Sequence, residues 1–114
     1  MRRIFLNGSV KHFLEKADPK MQEKLNFVFA YIADERNVLR EPYVRHITIR
    51  KFKQFYELRA KANGTMARIV FYTSESDIIL LYAFDKHDKR DTQKALECAD
   101  KMIGTNEKLT VVCI

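Results

Sequence analysis

The alternation of apolar and polar residues is strongest between residues 54 and 85, where it predicts three consecutive strands. Their expected bounds are Phe55–Lys61, Ala67–Thr73 and Ile78–Phe84. The third strand is apolar at every position, which is typical of a central strand that is covered on both faces. Short turns at Asn63-Gly64 and Ser74–Asp77 join the strands, so the pattern predicts an antiparallel meander.

A helical period predicts two helices before this meander. Ser9 is the expected N-cap of the first helix, whose apolar face contains Val10, Phe13, Leu14 and Ala17. Asp18 is the expected N-cap of the second helix, and Pro19 is its first residue. The apolar positions of this second helix run to about Arg36 and comprise Met21, Leu25, Val28, Phe29 and Ile32.

A third helix is predicted after the meander, with Asp91-Thr92 as its cap and Gly104 as its end. Its inward residues should be Ala95, Leu96, Ala99, Met102 and Ile103. The remaining apolar segments predict an edge strand at Arg3–Leu6, a strand at Val44–Ile49, and a final strand or docked tail at Leu109–Ile114. Together these elements predict an α+β fold in one domain that spans residues 1–114.

Composition narrows the class of protein without revealing its chemistry. Hydrophobic residues make up 46% of the 114 residues, which indicates a globular chain. No apolar run approaches the roughly 20 residues that a membrane helix needs, and the run at Arg3–Leu6 is too short for a signal peptide. We therefore expect a cytoplasmic protein without a membrane partner. Cys98 and Cys113 fit no metal-binding spacing and are expected to be free thiols.

The positive charge of the chain is concentrated in its middle. The net charge is +6 overall, but residues 36–68 alone carry nine Lys and Arg against two Glu, a net charge of +7. Such a segment favours a polyanion or an acidic protein as partner. The alternative is an ordinary basic face that contacts only solvent.

Two arginines on neighbouring predicted strands are the first candidates for chemistry. Arg59 and Arg68 fall on the more polar faces of strands that lie about 5 Å apart. Two guanidinium groups at that distance can bind one phosphate together. Alternatively, each arginine is neutralised within the protein, by Glu57 or Glu75.

A cationic loop follows the most apolar strand and adds two more candidates. Lys86 and His87 come first in this loop, where a buried strand would hold them in place. The alternative is a solvated turn. His12 and His46 carry weaker signals than His87, and His12 in particular fits a structural position in the first helix.

The chain lacks the motifs that hold metals, cofactors or nucleophiles. It contains no His-Glu-x-x-His or Cys-x-x-Cys motif and no glycine-rich phosphate loop, so we expect no metal and no cofactor. RNA cleavage fits this limit, because the 2′-hydroxyl of the substrate is the nucleophile. Arginine cannot accept a proton near neutral pH, which leaves Glu41, Glu57, a histidine, a lysine with a lowered pKa, or solvent as the base.

Several segments in this order resemble the RelE/ParE superfamily of toxins from bacterial type II toxin–antitoxin systems. The matching features are Glu41–His46, Phe55–Arg59, Arg68–Tyr72, Ile79–Phe84, Lys86, and a helix with Ala95 and Ala99. The similarity is greatest to the HigB-like branch, the phage-derived host-inhibition type. It covers about residues 3–103.

The resemblance implies a fold and an activity. The fold is an antiparallel sheet with two N-terminal helices packed on it and a C-terminal helix. The activity is metal-independent, ribosome-dependent cleavage of mRNA, which inhibits translation and growth. The partners would be mRNA, the ribosome and an antitoxin, a small helix-turn-helix protein, and the toxin alone would be a monomer or weak dimer. Two alternatives share the fold: a non-catalytic module that binds RNA or protein, and a ParE-like inhibitor of DNA gyrase.

The resemblance also implies roles for individual residues. Arg59 and Arg68 correspond to phosphate-contacting arginines, Lys86 to the cation after the last strand, and Glu41 to a general base; His87 is the further catalytic candidate. The candidate RNA-binding residues are Arg45, His46, Arg50, Lys51, Lys53, Lys61, Lys89 and Arg90. We expect the antitoxin to cover residues 36–68 or to displace the loop at Lys86.

The chain departs from the superfamily pattern at two places. RelE-type relatives have lysines where this chain has Phe55 and Glu57. Many HigB-like relatives have a longer basic run with a proline after the last strand, whereas residues 86–92 contain two aspartates before the helix and no proline.

Overall fold

The computed structural model of the chain describes residues 1–85, 89–103 and 108–112. These residues form three helices and six strands, so the predicted α+β class is confirmed. In chain order the elements are β1 (Ile4–Leu6), α1 (Gly8–Lys16), α2 (Pro19–Ala33), β2 (Val44–His46), a 3₁₀ turn (Arg50–Phe52), β3 (Tyr56–Ala62), β4 (Thr65–Ser74), β5 (Asp77–Asp85), α3 (Lys89–Ile103) and β6 (Thr110–Val111).

The six strands form one mostly antiparallel sheet in the order β2-β3-β4-β5-β1-β6. The predicted meander of β3, β4 and β5 is confirmed, and the turn at Asn63-Gly64 has the positive φ angles typical of a tight hairpin. The expectation of an edge strand at Arg3–Leu6 was wrong. β1 pairs in parallel with β5 and antiparallel with β6, because the short strand Thr110–Val111 covers the side that would otherwise be bare.

Helices cover both faces of the sheet and create two hydrophobic clusters. Helices α1 and α2 pack on one face, where residues such as Val28, Phe29 and Phe71 are buried. Helix α3 packs on the other face, where Ala95, Leu96 and Ala99 are buried. Strand β5 contributes to both clusters, which confirms that it is covered on both sides. Its register with β4 shifts between Val70 and Phe71, and Leu81 and Tyr82 both pack on the α3 side.

The first helix is capped by a residue that the sequence did not single out. The N-cap is Asn7 rather than Ser9, and its Oδ1 accepts a hydrogen bond from the Val10 amide at 2.9 Å. Its Nδ2 donates to the Leu81 carbonyl at 2.8 Å and contacts Met102 Sδ at 3.5 Å. Because Asn7 is 2% exposed, one side chain joins α1, β5 and α3 in the interior. Asp18 caps α2 as predicted.

The observed ends of α2 and β2 differ from the predicted ends, because side chains near each end redirect the backbone. Helix α2 ends at Ala33 rather than Arg36. Just beyond this end, hydrogen bonds from Arg36 to the Asp34 carboxylate lower the pKa of Asp34 to about 2. Strand β2 ends at His46 rather than Ile49, and the 3₁₀ turn that follows brings Phe52 into the second cluster.

Two further corrections concern α3. The helix begins at Lys89, so Asp91-Thr92 lie in its first turn rather than forming its cap, and Ile103 is 43% exposed instead of buried. The predicted end at Gly104 lies outside the described residues. Cys98 is a free thiol as predicted, while Cys113 also lies outside the described residues. Within the described ranges, no helix is both long and apolar enough to cross a membrane.

Replacing Asn7 should destabilise the fold much more than replacing Ser9. Asn7→Ala removes the cap, worth about 1 kcal/mol, and removes the buried side-chain donor to the Leu81 carbonyl, at a cost of about 1–3 kcal/mol. We expect urea unfolding to show a loss of about 2–4 kcal/mol for Asn7→Ala. Ser9→Ala is the control and should be close to wild type. Equal losses for the two variants would contradict the structure.

Candidate functional site

Arg59 and Arg68 face each other directly across β3 and β4, so their predicted proximity is confirmed. The Arg59 amide donates to the Tyr43 carbonyl at 2.8 Å, on the side of β3 that faces β2. Arg59 and Arg68 are therefore a non-hydrogen-bonded pair, the arrangement in which facing side chains are closest. We refer to these two residues as the arginine pair.

A buried carboxylate, Glu57, neutralises the arginine pair from within. Arg68 Nη1 donates to Glu57 Oε1 at 2.5 Å, and Arg59 Nε lies 4.0 Å from the same oxygen. Glu57 is 1% exposed, so this carboxylate is almost fully shielded from bulk solvent. The sequence left open that an arginine is neutralised within the protein by Glu57, and the structure confirms this pairing for Arg68. Glu75 lies in the turn after β4, at the opposite end of that strand from Arg68.

A second carboxylate, Glu41, contacts the arginine pair from the solvent side. Arg59 Nη1 donates to Glu41 Oε1 at 3.3 Å. The Glu41 side chain is 65% exposed, in contrast to 1% for Glu57. An exposed ion pair of this kind contributes little to stability and is easily exchanged for another anion.

The two arginines differ in how accessible they are. Arg68 is 8% exposed, whereas the side chain of Arg59 is 23% exposed. Both Nε atoms are buried and have no hydrogen-bond partner in the part of the chain that the structure describes. An anion arriving from solvent would therefore meet Arg59 first, with the more buried Arg68 behind it.

A cavity of about 190 Å³ lies beside the arginine pair, between the segment that follows β2 and the first turns of α3. Its lining residues are Arg45, Ile47, Thr48, Ile49, Glu57, Thr92 and Gln93. Glu57 Oε2 and Thr92 Oγ1 are both buried and have no hydrogen-bond partner among the described residues. The cavity was not predicted, and Thr92 was interpreted only as a helix cap. One sequence signal could have pointed to the cavity: Glu57 is an acidic residue in a predicted strand that otherwise carries basic residues on the same face.

The other candidate residues are dispersed around this site. Arg45 lies opposite Glu57 in the β2–β3 register, and Arg50, Lys51 and Lys53 are exposed on or next to the 3₁₀ turn. His46 Nε2 hydrogen-bonds the Lys53 carbonyl at 2.8 Å, and its ring lies 4.8 Å from that of Tyr56.

The candidates near α3 and the hairpin are less completely described. Lys86 and His87 lie outside the described residues, as does the side chain of Lys89. Arg90 is exposed in the first turn of α3. Lys61 is exposed at the end of β3, where it lines a groove of about 570 Å³.

This groove is a basic and aromatic surface that the sequence analysis missed. Lys20 and Lys24 of α2 line it together with Lys61. Lys24 Nζ lies 5.2 Å from the centre of the Phe27 ring and 5.2 Å from that of Tyr43. Phe27 is 52% exposed, so the groove combines positive charge with an accessible aromatic ring.

Comparison with known proteins places the chain in one family. The sequence profile of the family described as phage-derived protein Gp49-like matches residues 12–103. That family belongs to the RelE-like toxin group and is associated with toxins of toxin–antitoxin systems. No curated protein and no solved structure matches the chain significantly. The resemblance seen in the sequence is therefore confirmed at the level of this group, and the HigB-like branch stays a prediction.

Removing the charge of Glu57 should destabilise the protein strongly. Glu57→Gln leaves Arg68 buried without a counter-ion, which typically costs about 3–5 kcal/mol. The double variant Glu57→Leu/Arg68→Met removes both charges and should recover most of that loss, because an apolar pair often replaces a buried ion pair without penalty.

Urea unfolding measures both effects, and Glu41→Gln is the matched control. Because Glu41 is exposed, its replacement should cost at most about 1 kcal/mol. If Glu57→Gln were as stable as Glu41→Gln, the buried ion pair would not have the structural role that we assign to it.

Proposed function

The chain belongs to the family of phage-derived Gp49-like proteins, and on that basis we propose that it is the toxin of a type II toxin–antitoxin system that cleaves mRNA on the ribosome. The observation that carries the proposal is the arginine pair, two cations side by side of which Arg59 is partly exposed and makes a readily displaced contact to the exposed Glu41. Such a site suits a phosphate group better than any neutral ligand. We propose the HigB-like branch as the nearest relatives.

The arginine pair would bind the scissile phosphate of the RNA. The adjacent 2′-hydroxyl attacks phosphorus, and negative charge develops on the non-bridging oxygens. Arg59, the more exposed arginine, would contact these oxygens, and Arg68 would support it from behind. The reaction needs no metal ion, because the substrate supplies its own nucleophile and the guanidinium groups offset the charge.

Glu41 is the carboxylate best placed to accept the proton of the 2′-hydroxyl. It is 65% exposed and already contacts Arg59 at 3.3 Å, so a substrate bound to Arg59 would lie next to it. A phosphate that replaces Glu41 on Arg59 would also free this carboxylate to act as a base. Glu57 is 1% exposed and pairs with Arg68 instead. We propose that Lys86 and His87 assist departure of the 5′-oxygen.

The basic residues around the site would guide the RNA and the partners. Arg45 borders the cavity, and the candidate cations Arg50, Lys51 and Lys53 are exposed nearby. Contacts of this kind position the nucleic acid backbone and weaken as salt rises. An acidic or amphipathic segment of a small helix-turn-helix antitoxin would cover residues 36–68 or displace the loop at Lys86. Free of it, the toxin would act in the cytoplasm as a monomer or weak dimer.

A non-catalytic binding module is the second candidate, and one observation favours it. Arg68 is 8% exposed and already paired with Glu57, so only Arg59 of the pair is readily available to an outside phosphate. A module of this kind would bind RNA in a salt-sensitive manner without cutting it. A gyrase inhibitor of the same fold would instead leave mRNA intact while gyrase–DNA cleavage complexes accumulate.

Replacing Arg59 should abolish most of the cleavage without unfolding the protein. Arg59→Ala removes the exposed contact to the transition-state charge, and we expect the cleavage rate of mRNA on purified translating ribosomes to fall by about 10²–10³-fold. Arg36→Ala is the matched control, because Arg36 is an exposed arginine that pairs with Asp34 away from the site. Cleavage by Arg59→Ala at the control rate would exclude this arginine from the reaction.

Replacing Glu41 tests the identity of the base separately. Glu41→Gln keeps the shape of the side chain but cannot accept a proton, so we expect the rate to fall by about 10²–10⁴-fold while RNA binding persists. Binding is measured by filter retention of a non-cleavable RNA with a 2′-deoxy nucleotide at the cut. Wild-type cleavage by Glu41→Gln would mean that another group accepts the proton.

A further inference from the structure

The cavity of about 190 Å³ beside the arginine pair has a mixed lining that neither the fold nor the phosphate site requires. Ile47 and Ile49 provide apolar walls, and Arg45 lies at its border as an exposed cation. Glu57 and Thr92 approach it from β3 and from the first turn of α3, respectively. Apolar walls with a few polar groups are the usual make-up of a ligand site.

Two buried oxygens at this cavity lack partners. Glu57 is 99% buried, given its 1% exposure, and uses Oε1 for Arg68 while Oε2 has no hydrogen-bond partner among the described residues. Thr92 Oγ1 is likewise buried and unpaired within the described chain. Buried polar atoms are nearly always satisfied, so both oxygens call for a donor beyond those that the described residues supply.

We propose that this cavity holds a single base of the bound RNA and selects a base that carries an amino group. The inference rests on the proposed function, because it takes the RNA phosphate to lie on the arginine pair. The free oxygen of Glu57 would accept a hydrogen bond from the amino group of guanine, adenine or cytosine. Uracil has no amino group: its donor on that edge is N3–H, which lies between two carbonyl oxygens that the carboxylate would repel.

The size and place of the cavity both fit one base. Pockets for drug-sized molecules measure about 300–1,000 Å³, so a cavity of about 190 Å³ suits a smaller group such as one base. Glu57 and Arg59 are two positions apart on the same face of β3, a separation of about 7 Å along the strand. One RNA strand can therefore place a phosphate on the arginine pair and an adjoining base in the cavity.

The lining also matches how proteins hold unstacked bases. Single-stranded RNA is recognised by packing a base against planar or apolar side chains and by hydrogen bonds to its edge. Arg45 offers a guanidinium plane, Ile47 an apolar surface, and Glu57 and Thr92 the edge contacts. An ordered water that bridges Glu57 and Thr92 is the competing occupant, and the test below separates the two.

The test is a titration of the purified full-length chain, labelled at isoleucine methyl groups, with the four 3′-nucleoside monophosphates and with inorganic phosphate. All five probes carry phosphate, so all should perturb the arginine pair. We expect the Ile47 methyl signal to move with 3′-GMP, 3′-AMP and 3′-CMP, and the affinity for 3′-UMP to be about tenfold weaker. Thr92→Val should reduce this preference, whereas Thr73→Val, the same change at an exposed site on β4, should leave it intact.

Three results would overturn the proposal: equal affinity for all four nucleotides, an Ile47 shift produced equally by inorganic phosphate, or a crystal structure with bound nucleotide in which the cavity holds only water. An assay of mRNA cleavage by the wild-type chain distinguishes failure of this proposal from failure of the proposed function. Cleavage with any of these three results means that the base site alone is wrong. Selective nucleotide binding without cleavage by the wild-type chain means that the base site stands and the nuclease function fails.

Discussion

Two arginines face each other across β3 and β4, and the fold tolerates them there because Glu57 is buried between them. Without that carboxylate, adjacent positive charges would repel, and Arg68 at 8% exposure would be an uncompensated charge in the interior. Glu57 carries one negative charge against two positive ones, and among the described residues the remaining charge is offset by the exposed contact between Arg59 and Glu41. The site is therefore stable as it stands and still able to attract an anion.

The two faces of the sheet have different roles: one carries the larger hydrophobic cluster, and the other carries the candidate site. Helices α1 and α2 seal one face with the larger hydrophobic cluster, and Asn7 joins that layer to β5 and α3. The other face is only partly covered by α3, which leaves the arginine pair, Arg45 and the cavity at its margin. The basic segment 36–68 supplies both strands β2 and β3, which explains why the charge concentrates where the site lies.

The periodic elements could be predicted from the sequence, whereas the details of the site could not. The meander and the apolar stripe of α2 follow from local spacing, and so does the adjacency of Arg59 and Arg68 once a tight turn joins their strands. The position of β1 depends on pairing with residues more than seventy positions away, which no local pattern encodes. The capping role of Asn7 and the cavity at Thr92 likewise depend on how α3 packs against the sheet.

The central claim, that the arginine pair serves RNA cleavage, is tested most directly by mapping the 5′ ends of cellular mRNA after the chain is produced without an antitoxin. The account predicts new 5′ ends inside translated coding regions within minutes of induction, and their absence when translation is blocked beforehand. Growth arrest with no new 5′ ends in mRNA would contradict it.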